Sequence, residues 1–488
     1  MLLSDLLGDA VALDHSDLDI RGLTADSRAV RPGYLFAAFA GGRDDGRRYI
    51  ADAVARGAVA VLADEDRRRD TGVGGAYLVT DPNPRRRLAL IAARFHPAQP
   101  RVIAAVTGTN GKTSVAAFCR QIWTRLGHPA AALGTLGVTG ADGVAEIIHT
   151  TPDPITLHRV LDQLARSGID HLALEASSHG LDQCRLDAVR VAAAAFTNLS
   201  QDHLDYHPDA AAYLAAKLRL FDTVMAPGGT AVLNGDAPQS GHLARLCRAR
   251  GHRLVTVGAG AADFRLVAAE PAGEGQVLTI EVFGRRRRLV LPLVARFQAE
   301  NALMAAALVI ARGGETEAVL GALESLVGVP GRMQAIAGHP RGAAVYVDYS
   351  HTPDSLEHAL AALRPHVAGR LVAVFGCGGD RDRAKRPMMG RIAARLADRA
   401  IVTDDNPRGE DPAAIRAAVR AADPRIEEIG DRAEAIRRAV AALDRGDVLL
   451  IAGKGHERGQ TIGDAVVPFD DAAVARAVIA ALAKERGS

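Results

Sequence analysis

The feature that most constrains the fold is a unit that recurs along the chain: a short β-type apolar run, a glycine-rich or polar loop, then a helical stretch. It occurs as VIAAVTGTNGKT (102–113), HLALEASSHG (171–180), AAVYVDYSHTPDS (343–355), LVAVFGCGGDRD (371–382), AIVTDDNPRGED (400–411) and VLLIAGKGHERG (448–459). A strand that leads into a helix returns to pair in parallel, with helices covering the sheet, so the chain reads as α/β with mostly parallel sheets. In such sheets ligands bind outside the carboxyl ends of the strands. Here the loops at those ends carry nearly every unusual polar cluster of the sequence, which is the first functional signal.

Two Gly/Pro segments divide the series. FHPAQPR (95–101) precedes the strand of the GTNGKT unit, and GVPGRMQ (328–334) is a hinge before a second run of strand and loop units. Three domains are expected, 1–98, 99–330 and 331–488, which suits a length of 488 residues. A chain that is 48% hydrophobic and 24% charged is globular rather than disordered, and 59 basic against 57 acidic residues leave no global field for nucleic acid or an anionic membrane. Cys119, Cys184, Cys247 and Cys377 show no CxxC spacing, so neither a disulfide framework nor a zinc site is indicated and a reducing cytoplasm fits best. With no basic, apolar leader and no apolar run of about 18 residues, neither export nor membrane insertion is expected. Arg285 to Arg288, between EVFG and LVLPL, read as a hairpin with a solvated basic edge.

The sharpest local signal is Gly108-Thr109-Asn110-Gly111-Lys112-Thr113-Ser114, directly after a strand and opening a helix. Glycines let backbone N–H groups approach phosphate oxygens, a helix amino end favours negative charge, Lys112 neutralises phosphate, and the Thr113 hydroxyl can ligate Mg²⁺. It is a shortened form, GxxGKT, because the longer pattern needs glycine where Val106 stands. Glu175 ends the strand HLALE, where it is either a magnesium ligand or a cap on the next turn. In NLSQDHLDYHPDAAAYLAAKLRLF (198–221), His203 and His207 precede Pro208, a helix-start signal, and Lys217 falls on the apolar stripe of Leu214, Leu218 and Phe221. Lys217 is either a snorkelling stem or a lysine kept near neutrality and open to covalent modification. Asp405-Asn406-Pro407-Arg408 could hold the zwitterionic end of an amino acid, or be a turn with a surface arginine. Glu457 of Gly453-Lys454-Gly455-His456-Glu457 could meet an ammonium or start a helix.

Taken together, GTNGKT (108–113), LEASSHGLDQCR (174–185), DHLDYH to Lys217, GRM (331–333), DYSHTPDSL (348–356), GCGGDRD (376–382), DDNPR (404–408) and GKGHE (453–457), with TADSRAVRPGYLFAAFAGGRDDGRRYI (24–50), closely resemble the Mur ligases. The resemblance runs in order through the whole chain. It is specifically to the branch that adds the third residue of the peptidoglycan peptide. It implies an N-terminal domain for the UDP part, a central P-loop-type ATPase domain and a C-terminal Rossmann-like domain that presents the amino acid.

The resemblance also implies roles. Ser27 and the loop Gly42, Arg43, Asp44 would hold UDP-MurNAc, and Thr150, Thr151, Ser177, Gln183 and Arg185 its L-Ala-D-Glu dipeptide. Thr113, Glu175, His203 and a carbamylated Lys217 would serve Mg²⁺, and Asn301, Arg332, Asp348 and His351 would join the loop in binding ATP. Arg381, Asp405, Asn406, Pro407, Arg408, Gly453 and Glu457 match the meso-diaminopimelate site, with Arg408 on the distal carboxylate that lysine lacks. HPD (207–209) departs from the commoner glycine after the histidine.

The implied reaction is ATP-dependent amide synthesis through an acyl phosphate, in the cytoplasm, with Lys112, Glu175, His203 and Lys217 at the chemistry and closure around GVPGRMQ beforehand. A monomer is expected, with transient contacts to other cell-wall enzymes. A lysine-adding ligase, a folylpolyglutamate synthase and the D-alanyl-D-alanine-adding ligase are the competing readings; the last two share the GTNGKT core, but TADSR and DNPR favour the diaminopimelate branch. A non-catalytic ATP-binding scaffold has no need of Lys112, Glu175, His203 and Lys217 at once.

Overall fold

The structure, a computed structural model, describes residues 1–8, 18–40, 45–65, 74–140, 143–145, 149–200, 202 and 206–487. Gly42, Arg43, Asp44 and His203 lie outside the described residues. The chain forms two compact units, Met1–Thr256 with Ala307–Glu315, and Val257–Ala306 with Thr316–Ser488.

The first unit begins with four parallel strands, β1 (Gly22–Thr24), β2 (Tyr34–Ala37), β3 (Ala58–Asp64) and β4 (Tyr77–Asp81), paired in chain order. It continues with β5 (Val102–Thr107), β6 (Ala130–Gly134), β7 (Gly137–Gly140), β8 (Gly143–Ala145), β9 (His171–Glu175), β10 (Val191–Phe196) and β11 (Met225–Asn234). These lie in the order β8-β7-β6-β9-β5-β10-β11, parallel from β6 to β11, with β7 and β8 antiparallel at one side. Every residue of β5, β6 and β9 is buried, as expected of strands covered on both faces. Parallel pairing puts the ends of β5, β6, β9 and β10 at one edge, and so collects Thr107–Lys112, Thr135, Glu175–Ser177 and Thr197–Ser200 there.

The chain enters the second unit in β12 (Arg253–Gly258), followed by the antiparallel β13 (Phe264–Ala272), β14 (Gly275–Val282) and β15 (Arg285–Leu291). The expected basic hairpin is β14–β15, turning at Phe283-Gly284, with Arg285, Arg286 and Arg288 exposed. A second sheet follows: β16 (Gln334–Ala335), β17 (Ala344–Asp348), β18 (Leu371–Phe375), β19 (Arg399–Val402), β20 (Glu427–Glu428) and β21 (Val448–Ala452), in the order β16-β17-β21-β18-β19-β20. All neighbours are parallel except β16–β17. Alternation sorts its side chains by face. Tyr346, Ala373, Phe375, Val402 and Leu450 pack with the helices Pro353–Leu363 and Lys385–Leu396, whereas Val345, Val347, Val374, Ile401 and Ile451 pack with Arg432–Ala441 and the last helix, Asp471–Gly487. The sheet is therefore wound on both faces. Among the described residues no helix is long and apolar enough to cross a membrane.

Candidate active site

In the first unit, the loop after β5 leads into the helix Lys112–Arg125, whose N-cap Gly111 takes a left-handed φ of 88° and offers no side-chain acceptor to the first turn. That leaves the helix amino end suited to an anion. Lys112 Nζ donates to the carbonyls of Gly108 (2.9 Å) and Thr109 (2.8 Å). Lys217, from the helix Ala210–Arg219, donates to the same Gly108 carbonyl at 2.7 Å and lies 4.3 Å from the centroid of the Tyr213 ring. Its side chain is almost wholly enclosed, and burial, then repulsion from Lys112, hold its amine well below the usual lysine range against the opposing pull of Asp202. The helix starts later than Pro208 suggests: Asp209 is the cap, accepting from Ala212 N, so the proline stands one residue outside it. Asn198 and Tyr213 hold the loop from below, Asn198 Oδ1 accepting from Asn110 N at 2.9 Å and the Tyr213 hydroxyl lying 3.1 Å from Thr109 Oγ1. Ser114 is buried in the first helical turn.

Glu175 is buried at the end of β9, where Oε2 accepts from Thr113 Oγ1 (3.1 Å) and Thr135 Oγ1 (3.1 Å), and Oε1 from Thr135 N (2.8 Å). A Cβ at position 134 would lie 2.1 Å from Glu175 Oε1, so the glycine there leaves room for the carboxylate where it stands. The Thr113 and Glu175 oxygens converge, and an all-oxygen donor set is what magnesium takes. The same edge holds the implied dipeptide contacts. Thr150 Oγ1 is 3.1 Å from Thr135 Oγ1, Thr151 Oγ1 donates to Glu175 O and accepts from Ser177 N, and Arg185 donates to Thr151 O (2.7 Å) and Gln183 Oε1 (2.8 Å). Gln183 in turn donates to the Tyr206 hydroxyl at 3.0 Å. Ser27 is buried at the start of a short 3-10 turn after β1. One His/Asp group with metal-ligand spacing is found among the described residues, His128, Asp170 and His171; it lies at the amino end of β9, opposite Glu175, and Asp170 is already engaged by His171 and Arg101.

In the second unit, the parallel sheet brings the loops after β17, β18, β19 and β21 to one edge. Asp348 accepts from Met333 N (2.7 Å) and Ser350 N (2.9 Å). Asn301 donates to Gln298 Oε1 and Gln298 to Arg332 O, while the Arg332 guanidinium lies 4.5 Å from the centroid of the Tyr349 ring, which also packs on His351 and His456. The four residues implied to meet the nucleotide thus form one cluster. Burial, aided by Arg332, pushes His456 down to about 4, so its imidazole is neutral at physiological pH.

Around the implied amino-acid site, Asp405, Asn406 and Pro407 are buried, Arg381 is exposed, and Arg408 takes a left-handed φ of 51° and donates to Gly379 O at 2.9 Å. Asn406 Nδ2 donates to Glu457 Oε2 at 2.9 Å, so Glu457 serves this network rather than starting a helix. Gly453 has φ 117°, and a Cβ there would lie 2.5 Å from Asp405 Oδ2. Beneath both loops Arg432 and Asp471 form a wholly enclosed ion pair at 2.7 Å, and Arg432 also donates to Ala452 O (2.9 Å) and Asp404 O (3.4 Å). Glu410 ties the β18 and β19 loops together by accepting from Arg386 (2.8 Å) and Asp380 N (2.7 Å).

Several participants escaped the reading of the sequence. Thr135 had a signal, since it follows β6 at the same edge as the phosphate loop. Gln298, Tyr349, Lys454 and Arg432 had none beyond their own type, because each also binds a partner remote in the chain: Arg332, His456, Asn406 and Asp471 respectively.

Three family models match the chain: Mur ligase family, catalytic domain, at residues 19–96; Mur ligase middle domain at 106–309; and Mur ligase, glutamate ligase domain, at 331–455. The chain is 53% identical, over 99% of each sequence, to the UDP-N-acetylmuramoyl-L-alanyl-D-glutamate--2,6-diaminopimelate ligase of Bradyrhizobium diazoefficiens. It is 52% identical to the ligase of the same name from Caulobacter vibrioides, covering 96% of this chain and 97% of that one. A solved structure of a ligase with that name superposes with a TM-score of 0.73 at 32% identity, covering 99% of both chains. A phosphate loop, a buried carboxylate at the neighbouring strand end and full-length similarity agree: the chain belongs to the Mur ligase family.

Proposed function

We propose that the protein joins meso-diaminopimelate to the γ-carboxylate of D-glutamate in UDP-MurNAc-L-Ala-D-Glu, with cleavage of ATP to ADP and phosphate. The observation that carries this reading is the full-length similarity to ligases bearing the diaminopimelate name. Three functional segments go with it: 1–98 for the uridine nucleotide, 99–330 for ATP and 331–488 for the amino acid. The compartment is the cytoplasm.

A carboxylate is a poor electrophile for an amine, so it is first converted to an acyl phosphate. The amino end of the helix Lys112–Arg125 and the Lys112 ammonium receive the phosphates and spread the charge of transfer. Thr113, Glu175, His203 and a carbamylated Lys217 are the residues that would hold magnesium, which when bound neutralises phosphate charge. The enclosed Lys217 amine, with its depressed pKa, supplies the neutral form that CO₂ modifies. Asp405 and Glu457 take the ammonium end of the amino acid, and Arg408 with Arg381 a carboxylate. The amine then attacks the acyl carbon, and the tetrahedral oxyanion collapses to amide and phosphate.

The test is phosphate release by the purified protein with ATP, Mg²⁺ and UDP-MurNAc-L-Ala-D-Glu, comparing meso-diaminopimelate, L-lysine and no amino acid. Release with diaminopimelate alone is expected. Equal release with lysine removes Arg408 as selector, and silence with both removes the ligase reading.

A further inference from the structure

Lys454 follows β21 and is wholly enclosed, a costly position for an ammonium unless it is compensated. Its compensation comes from two side chains of the amino-acid site: Nζ donates to Asn406 Oδ1 at 2.9 Å and to Glu457 Oε2 at 3.1 Å. Thr461 N donates to the same Asn406 oxygen at 2.9 Å. A backbone N–H and an ammonium on one side admit only the oxygen of the amide, so the Asn406 NH₂ must turn toward Glu457. Glu457 Oε2 thereby receives two donors, which fixes the plane of a carboxylate whose side chain is 32% exposed and within reach of a ligand. Asp405, one residue earlier, has its Oδ2 buried with no hydrogen-bond partner among the described residues.

We propose that Lys454 is a positioning residue of the amino-acid site, orienting the Asn406 amide and the Glu457 carboxylate so that, with Asp405, they receive the ammonium end of the incoming amino acid. The proposal rests on the diaminopimelate-ligase reading above. It assigns Lys454 to recognition of one substrate, whereas a lysine that merely supported the loop would affect all three substrates through general loss of order.

The test uses the full-length protein as wild type, Lys454→Met, Glu457→Gln and the double variant, in the phosphate-release assay with each substrate varied in turn. Lys454→Met is expected to raise KM for diaminopimelate by about tenfold, the scale of a lost charged hydrogen bond, with KM for ATP and for the uridine nucleotide within about threefold of wild type. In the Glu457→Gln background the same change is expected to add less than about threefold, because the lysine acts through that carboxylate. Lys454→Gln, which keeps a donor for Asn406, is expected to fall between, and replaces the methionine variant if that does not fold. An unchanged KM for diaminopimelate, an equal rise for all three substrates, or full additivity in the double variant overturns the proposal alone. Wild-type protein that releases no phosphate with diaminopimelate overturns the functional reading and this proposal with it.

Discussion

Lys112 and Lys217 are turned onto backbone oxygens of the phosphate loop, whereas beneath the amino-acid loops three buried cations are held by side chains, Lys454 by Asn406 and Glu457, Arg386 by Glu410 and Arg432 by Asp471, with the half-buried Arg408 on the Gly379 carbonyl. A carbonyl of the loop is a neutral acceptor that phosphate oxygens can replace at little cost, since a charge-assisted bond is the stronger one. A carboxylate in a buried network is already committed to its cation, and disturbing one member leaves another charge uncompensated. The first arrangement suits a site that receives a highly charged group and changes partners during the reaction. The second suits a site that must present a fixed pattern to a small zwitterion.

The contrast is broken most directly at Lys112. Lys112→Ala should reduce phosphate release by at least about a hundredfold, the scale of losing a principal donor to developing charge. Its melting temperature should stay within about 4 °C of wild type, because backbone acceptors left behind can be hydrated. A large loss of thermal stability would show that this lysine is structural after all. Lys217→Ala should be nearly as inactive and partly restored by formate or acetate; full activity without additive removes the carbamate role. Since its amine is depressed in the folded protein, the neutral form is lost as pH falls through that lowered value, so bicarbonate-dependent activity should decline toward acid.

Arg408→Ala should raise KM for diaminopimelate by about tenfold with kcat little changed, by loss of a bidentate carboxylate contact. A fall in kcat at constant KM would place Arg408 in the chemistry instead. The smallest effect is expected at Glu410, which holds two loops together and is not among the residues implied to meet a substrate. Glu410→Gln should raise the same KM by about twofold to fivefold. Hydrogen bonds from Arg386, then from the Asp380 backbone, hold the Glu410 carboxyl down to about 2 in the folded protein. Its stabilisation is therefore present above the ordinary glutamate range and lost as pH falls from there toward 2. Thermal melts of wild type and Glu410→Gln should differ at neutral pH and converge under acid; a constant gap would exclude that ionisation as the cause.

The two regions also differ in how plainly the sequence announces them. Gly108 to Ser114 are contiguous, and strand before with helix after, both present in the fold, mark them as a candidate phosphate loop from the sequence alone. The place of Glu175 was legible for the same reason, as the last residue of an apolar strand, while the choice between magnesium ligand and turn cap was not. The reading stopped where partners are distant: Thr135 lies 40 residues from Glu175, and Lys454 48 from Asn406. Lys217 shows the intermediate case, in which helical spacing placed it on a buried face but its contact with Gly108, 109 residues away, came only with the fold. Parallel sheets make this unavoidable, because crossovers bring together loops that composition and periodicity treat as unrelated.

Arg432 and Asp471 open the last two helices of the second unit, and their pairing bears on how far the protein can be shortened. A fragment made to display the amino-acid loops alone, for instance to screen small molecules against them, cannot stop after β21. Ending before Asp471 would strand a guanidinium inside the protein, directly under Asp404 and Ala452, and deform the surface the fragment was meant to show. The C-terminal helix, which also covers one face of the sheet, is in that sense part of the binding surface, and a fragment has to keep it whole.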